Sequence, residues 1–226
     1  MNEYLGKTVP FGAPTFTDVF QPHELHLYQD SPLSPAGQKQ AKSLRRTSSS
    51  FLADCDLVVV SPLTRALETL DIGLKEHLVD EKADAKTKTP VIALPEAAER
   101  LYLISDVGKP TSDLQKQFGY VDFEEGFGEH IDQDAWWYQP STKAYQEWRP
   151  VGKGQKYACP GEPDEYFDRR MIRLFKWLSQ RPEQKITVVC HWGVIDWMLD
   201  MDFDNCAWKE VDLQDVAKSN KLLQQV

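Results

Sequence analysis

The run Asp56-Leu57-Val58-Val59-Val60-Ser61-Pro62-Leu63-Thr64-Arg65 changes character halfway along, and that change decides the fold. Its first half is a short, continuous apolar stretch, the pattern of a strand covered on both faces. The second half reads as a helix: Ser61 suits the N-cap, Pro62 the position just inside, and Leu63, Leu67, Leu70 and Leu74 recur on one face. Upstream, Ser34 and Pro35 open another helical pattern, SPAGQKQAKSLRR. Downstream, a second apolar run covers Pro90 to Leu94 and a third, expected to be buried, covers Lys185 to Cys190. Pro163 to Gln180 is an amphipathic helix with Phe167, Met171, Leu174, Phe175 and Leu178 as its stripe, and a last helix is expected from about Val194. Strands alternating with helices specify an α/β fold with a largely parallel sheet.

The 226 residues are read as one domain, large enough to bury a substantial core. Residues 1–33, rich in Pro, Gly and Phe, are expected to be irregular. Residues 107–160 hold many glycines, prolines and aromatics, Trp136-Trp137-Tyr138 among them, and read as an insertion or lid over the sheet edge. Hydrophobic content of 41% and charged content of 27% are those of a soluble globular protein. A net charge of -9 argues against nucleic acid as a partner but leaves room for a small basic pocket. Cys55, Cys159, Cys190 and Cys206 show no CxxC spacing, so a zinc site is not expected, and reduced thiols point to a cytoplasmic setting. The start lacks a secretory signal, and no apolar stretch approaches the roughly 20 residues that cross a bilayer.

In parallel sheets, ligands gather at the carboxyl ends of strands. Two strand ends here carry suitable chemistry. Arg65 puts a guanidinium into the opening turn of a helix, where free N–H groups and the helix dipole already favour an anion. His191 closes the run Val188-Val189-Cys190-His191-Trp192-Gly193. Taken singly, Arg65 reads as a solvent-facing helix residue, and His191 is equally well read as an incidental polar residue at a strand end; as a pair they suggest an oxyanion site.

These segments resemble the histidine phosphatase superfamily, the phosphoglycerate mutase-like fold. Asp30-Ser31-Pro32-Leu33-Ser34-Pro35-Ala36-Gly37-Gln38-Lys39-Gln40-Ala41 matches its D-x-P-L-T-x-x-G-x-x-Q-A block. Ser61-Pro62-Leu63-Thr64-Arg65-Ala66-Leu67-Glu68-Thr69 matches S-P-L-x-R-A-x-x-T. Glu99 precedes Asp106 of Ser105-Asp106-Val107-Gly108 by seven residues, as 106 − 99 = 7, like the family glutamate before its C-D-x-G element. Gly161-Glu162-Pro163 with Arg170 echoes a G-E-S helix and its arginine, and Val188 to Gly193 echoes the closing V-V-S-H-G-G. Trp192 replaces a small residue of that motif, which bears on pocket width. Asp122-Phe123 followed by Trp136-Trp137-Tyr138 is similar to one branch of phosphoglycerate mutase-like proteins.

The resemblance implies a three-layer α/β/α sandwich and a phosphomonoester hydrolase that works through a phosphohistidine on a small phosphorylated substrate, with no metal or organic cofactor. It assigns Arg65 and His191 to the phosphoryl oxygens and Glu99 to the leaving oxygen as general acid. The family's opening strand ends in Arg-His-Gly, which supplies the nucleophile, and no such triplet occurs in the 226 residues. The resemblance thus implies a first strand missing or replaced, with Asn2 as the asparagine of R-H-G-x-S-x-x-N. His23 and His26, in PHELHL, read as surface-loop residues, and His77 and His130 receive no role. An N-terminally truncated, inactive phosphatase with an aggregation-prone sheet edge is the expectation, and a non-catalytic pseudophosphatase that binds phosphorylated ligands is the alternative. A third reading is an interaction protein using Trp136-Trp137-Tyr138 as its contact. Mutase activity is expected less than hydrolysis.

Overall fold

The computed structural model describes residues 2–4, 7–9, 29–52, 54–78, 89–101, 104–133, 135–138 and 162–225. The histidines of PHELHL, Gly161 and most of the segment after Tyr138 lie outside them. Three strands form a parallel sheet: β3 (Leu57–Val60), β4 (Val91–Ala93) and β5 (Ile186–Val189), in the order β4-β3-β5. Each sits inside one of the three apolar runs.

Alternation along these strands supplies two cores. Val58, Val60, Val91 and Ala93 face helices α1 (Pro35–Leu52), α2 (Thr64–Gly73) and α3 (Lys75–Leu78), with α4 (Thr111–Gln117) and α5 (Glu124–Phe127) completing that layer. Leu57, Val59, Ile92 and Leu94 face α6 (Asp164–Ser179) and α7 (Trp192–Leu199). Helices on both faces make the three-layer sandwich. A short α8 (Leu213–Ser219) follows in the C-terminal region.

The structure corrects several boundaries. Residues 1–33, expected to be irregular, contain an antiparallel pair, β1 (Asn2–Tyr4) and β2 (Lys7–Val9), in a sheet of its own. Strand-forming Tyr4, Thr8 and Val9 are too few to leave a period-2 signal beside the surrounding Pro and Gly. Ser61 does not cap α2, which begins at Thr64. The cap comes instead from Asp30, remote in sequence and fully buried, whose carboxylate accepts the Thr64 backbone N–H at 2.7 Å and its hydroxyl at 2.5 Å. Ser34 does cap α1, accepting the Gly37 N–H at 3.1 Å. The last core helix starts at Trp192, two residues earlier than expected.

β5 is half-buried along its length, unlike the fully buried β3. β3 is paired on both sides, and the far side of β4 is bridged through Ile92 to Asp122. Among the described residues no strand pairs with the far side of β5. Within 107–160, Asp122 lies against the β4 edge, where it is joined to Val91 and Ala93 by backbone hydrogen bonds. Among the described residues no helix is long and apolar enough to cross a membrane.

Candidate active site

The three strands run the same way, so Ser61, the turn after Leu94 and His191 emerge at one edge of the sheet. His191 is buried at 8% exposure, and its Nε2 shares a 2.7 Å hydrogen bond with Ser61 Oγ. Burial, with the positive charges of Arg65 and Arg170, holds the imidazole pKa well below its usual 6.5. His191 is therefore neutral at pH 7.

Arg65 sits in the first turn of α2, as expected, with its side chain 24% exposed. One Nη donates to the Ser105 carbonyl at 2.7 Å and the other to Asp106 Oδ1 at 2.9 Å. The spacing from Glu99 to Asp106 thus delivers an acid that orients the arginine. Planar double donation of this kind fixes the guanidinium far better than a single bond does.

Glu99 lies between these groups. Its Oε1 accepts the Arg100 N–H at 2.8 Å and the Gly193 N–H at 3.2 Å. Burial and the Asp106 charge raise its pKa from 4.5 to about 7, against the opposing pull of Arg65. Gly193 is where this carboxylate presses: an added Cβ would clash with Glu99 Oε1, only 2.4 Å away. That close approach is why a glycine so soon follows the strand-end histidine.

Arg170 anchors the same loop from behind. It forms a two-pronged pair with Glu162, at 2.9 and 2.6 Å, and donates to the carbonyls of Glu96, Ala98 and Glu99. Cys190 is closed to thiolate chemistry, since burial and the Glu99 charge push its pKa up to about 12. Trp192 turns outward, 47% exposed, with its indole donating to Asp202, so it does not narrow the site.

Arg65, His191 and Glu99 therefore meet at the sheet's carboxyl edge. His77 and Arg45 share a hydrogen bond on the exposed surface, away from it. Ser61 and Asp30 were missed as site residues. Ser61 had a signal, being a polar residue directly after a buried strand. Asp30 had none beyond its motif, because its partner lies 34 residues away.

An arginine, a neutral histidine and a protonatable glutamate at the strand ends of an α/β sheet can together bind an oxyanion and hand it a proton. The family model of the histidine phosphatase superfamily (branch 1) matches residues 22–118. That match includes Asp30, Arg65, Glu99 and Asp106, while His191 lies beyond it. Over 99 residues, 44% of this chain, it is 32% identical to a protein of Schizosaccharomyces pombe described as a "probable phosphatase". The aligned stretch covers 43% of that relative, so the similarity spans less than half of each protein.

Proposed function

We propose that this is a phosphomonoester hydrolase of the histidine phosphatase type, and that the 226-residue chain binds the phosphoryl group without completing turnover. The family match over residues 22–118 and the similarity to a probable phosphatase support the broad class. The observation that carries the site is the placement of Glu99, poised near pH 7 beside the Gly193 amide and the Arg65–Asp106 pair. Arg65 and His191 would take the non-bridging oxygens, and protonated Glu99 would face the leaving oxygen and hand it a proton as the P–O bond breaks. His191, held by its Ser61 partner, would then stabilise the negative charge on those non-bridging oxygens.

Among the described histidines only His191 stands at this edge, and its Nε2 is already engaged. With no Arg-His-Gly in the sequence, the nucleophile step has no donor of the family kind. Loss of a nucleophile lowers turnover by roughly three to six orders of magnitude. Phenyl phosphate hydrolysis by the 226-residue protein is therefore expected at background, while calorimetry detects inorganic phosphate binding that Arg65→Ala abolishes. Robust turnover would overturn the first half of this reading; binding unaffected by Arg65→Ala would overturn the second.

The pseudophosphatase reading is supported by the same lack of an Arg-His-Gly in the 226 residues, joined to the grouping of Arg65, His191 and Glu99 at one sheet edge. It is separated from the first by appending a strand ending in Arg-His-Gly at the N terminus. Recovery of hydrolysis would favour the enzyme, and unchanged inactivity with retained phosphate binding would favour the binder.

A further inference from the structure

The site described so far accounts for a phosphoryl group and leaves unused the aromatic run Trp136-Trp137-Tyr138. Beside Glu99 opens a cavity of about 380 Å³. Glu99, Asp106 and the Glu162–Arg170 pair line it on one side, and Trp136, Trp137 and Tyr138 also line it. Its size suits a single substituted ring and is too small for a folded partner.

The aromatic wall is fixed in place by the protein itself. Trp136 donates its indole N–H to the Lys109 carbonyl at 2.7 Å and meets Phe127 edge-on, with centroids 5.9 Å apart. Trp137 packs edge-on against Trp136 at 5.6 Å, and Tyr138 against Tyr166 at 5.3 Å. Both indoles rest on Gly108, where an added Cβ would lie 2.3 Å from Trp136 Cζ2 and 2.9 Å from Trp137 Cε3. Asp106, which orients Arg65, and Gly108, which seats the rings, are two residues apart. One short segment therefore sets both the phosphate grip and the wall.

Two further observations say what the cavity would take. Among the described residues the buried Trp137 Nε1 donor has no hydrogen-bond partner. Such a donor costs free energy unless something supplies an acceptor, and native sites that keep one commonly do so for a ligand or a bound water. The arginines of the lining face carboxylates, Arg170 meeting Glu162 and Arg173 meeting Glu96. With its cations already matched by anions, the cavity gains little from a second charge on the occupant.

We propose that this cavity is the leaving-group subsite of the phosphate site, and that it takes a planar, uncharged ring: an aryl or heterocyclic phosphomonoester lying against Trp136 and Trp137, with a ring acceptor for the Trp137 indole N–H. This rests on the phosphate-site reading above. It makes Trp137 a specificity-determining residue, and the ring's oxygen the atom that faces Glu99.

Calorimetry on the 226-residue protein tests it with phenyl phosphate, pyridin-3-yl phosphate, glycerol 2-phosphate and inorganic phosphate. Phenyl phosphate is expected to bind about tenfold more tightly than glycerol 2-phosphate, the margin one aromatic contact provides. Trp137→Leu should bring that ratio to within about twofold. Pyridin-3-yl phosphate should exceed phenyl phosphate, and Trp137→Phe, which keeps a ring and removes the N–H, should erase that difference. Equal binding of the phenyl and glyceryl esters, with inorganic phosphate still bound, would overturn the ring subsite and leave the phosphate site standing. If no phosphate binds, the phosphate-site reading fails. Phenol then decides the cavity alone: quenching of tryptophan fluorescence that Trp137→Leu removes would support it, and its absence would overturn it.

Discussion

At the scale of single residues, the site turns on one carboxyl group. Glu99 is held up to about pH 7 by burial and by the Asp106 charge. An oxyanion arriving beside it adds a like charge, which raises that value further and favours the protonated form. Binding of sulfate, which does not titrate in this range, is therefore expected to weaken as pH rises through about 7. Glu99→Gln, always neutral, should flatten the dependence and bind about tenfold more tightly than the parent at high pH, the equivalent of one pKa unit. Stability follows with the same sign. A carboxyl raised from 4.5 to about 7 on folding gives stability that is full below 4.5 and lost as pH rises through 7. Glu99→Gln should thus stabilise the fold by about 2–3 kcal/mol at alkaline pH and by little in acid, read as urea midpoints at the two extremes. Gly193 gives a second residue-scale test. Its Cβ would sit 2.4 Å from the Glu99 carboxylate, so Gly193→Ala should cost about 1–3 kcal/mol, the ordinary range for overpacking. In a Glu99→Ala background the same change should cost almost nothing, because the atom it strikes has gone.

At the scale of elements, what was legible depended on how local the cause was. The apolar runs at 57–60, 91–93 and 186–189 carried their own signal, and each became a strand. Ser34 met its Gly37 partner three residues on, so that cap was readable. The start of α2 was not, since Thr64 is capped by Asp30 and Ser61 is drawn off to His191, 130 residues away. The motifs named Arg65, Glu99 and His191, but the partners that give each its state, Asp106, Gly193 and Ser61, meet them only through the fold. Arg170 shows how one helix positions another element's chemistry. From α6 it holds the carbonyls of Glu96, Ala98 and Glu99 while pairing with the buried Glu162. Arg170→Met would strand the Glu162 carboxylate and loosen the loop carrying Glu99. A loss of about 3–5 kcal/mol is expected, the cost of breaking a buried pair by removing one partner. Pairing it with Glu162→Met should recover much of that loss, measured by denaturant unfolding.

At the scale of the whole molecule, the sheet's two edges differ. The outer side of β4 is closed by Asp122, which donates to the Val91 carbonyl and accepts from the Ala93 amide. On the other edge, the Lys185 and Val189 carbonyls of the β5 region point inward, accepting from Asp56 and Ser61. Backbone groups alternate sides along a strand, so Ile186 and Val188 point their amides away from β3. Among the described residues no strand meets them, and the half-buried β5 contrasts with the buried β3 beside it. An unpaired edge of this kind is a template for further strand pairing, within the chain or between copies. Native-state hydrogen exchange resolves the matter residue by residue. The amides of Thr187 and Val189 are expected to exchange as slowly as those of β3, and those of Ile186 and Val188 much faster. Slow exchange at Ile186 and Val188 that persists on dilution would show the edge closed by the chain itself. Protection that appears only as protein concentration rises would show it closed by a second copy, with sedimentation reporting the larger species.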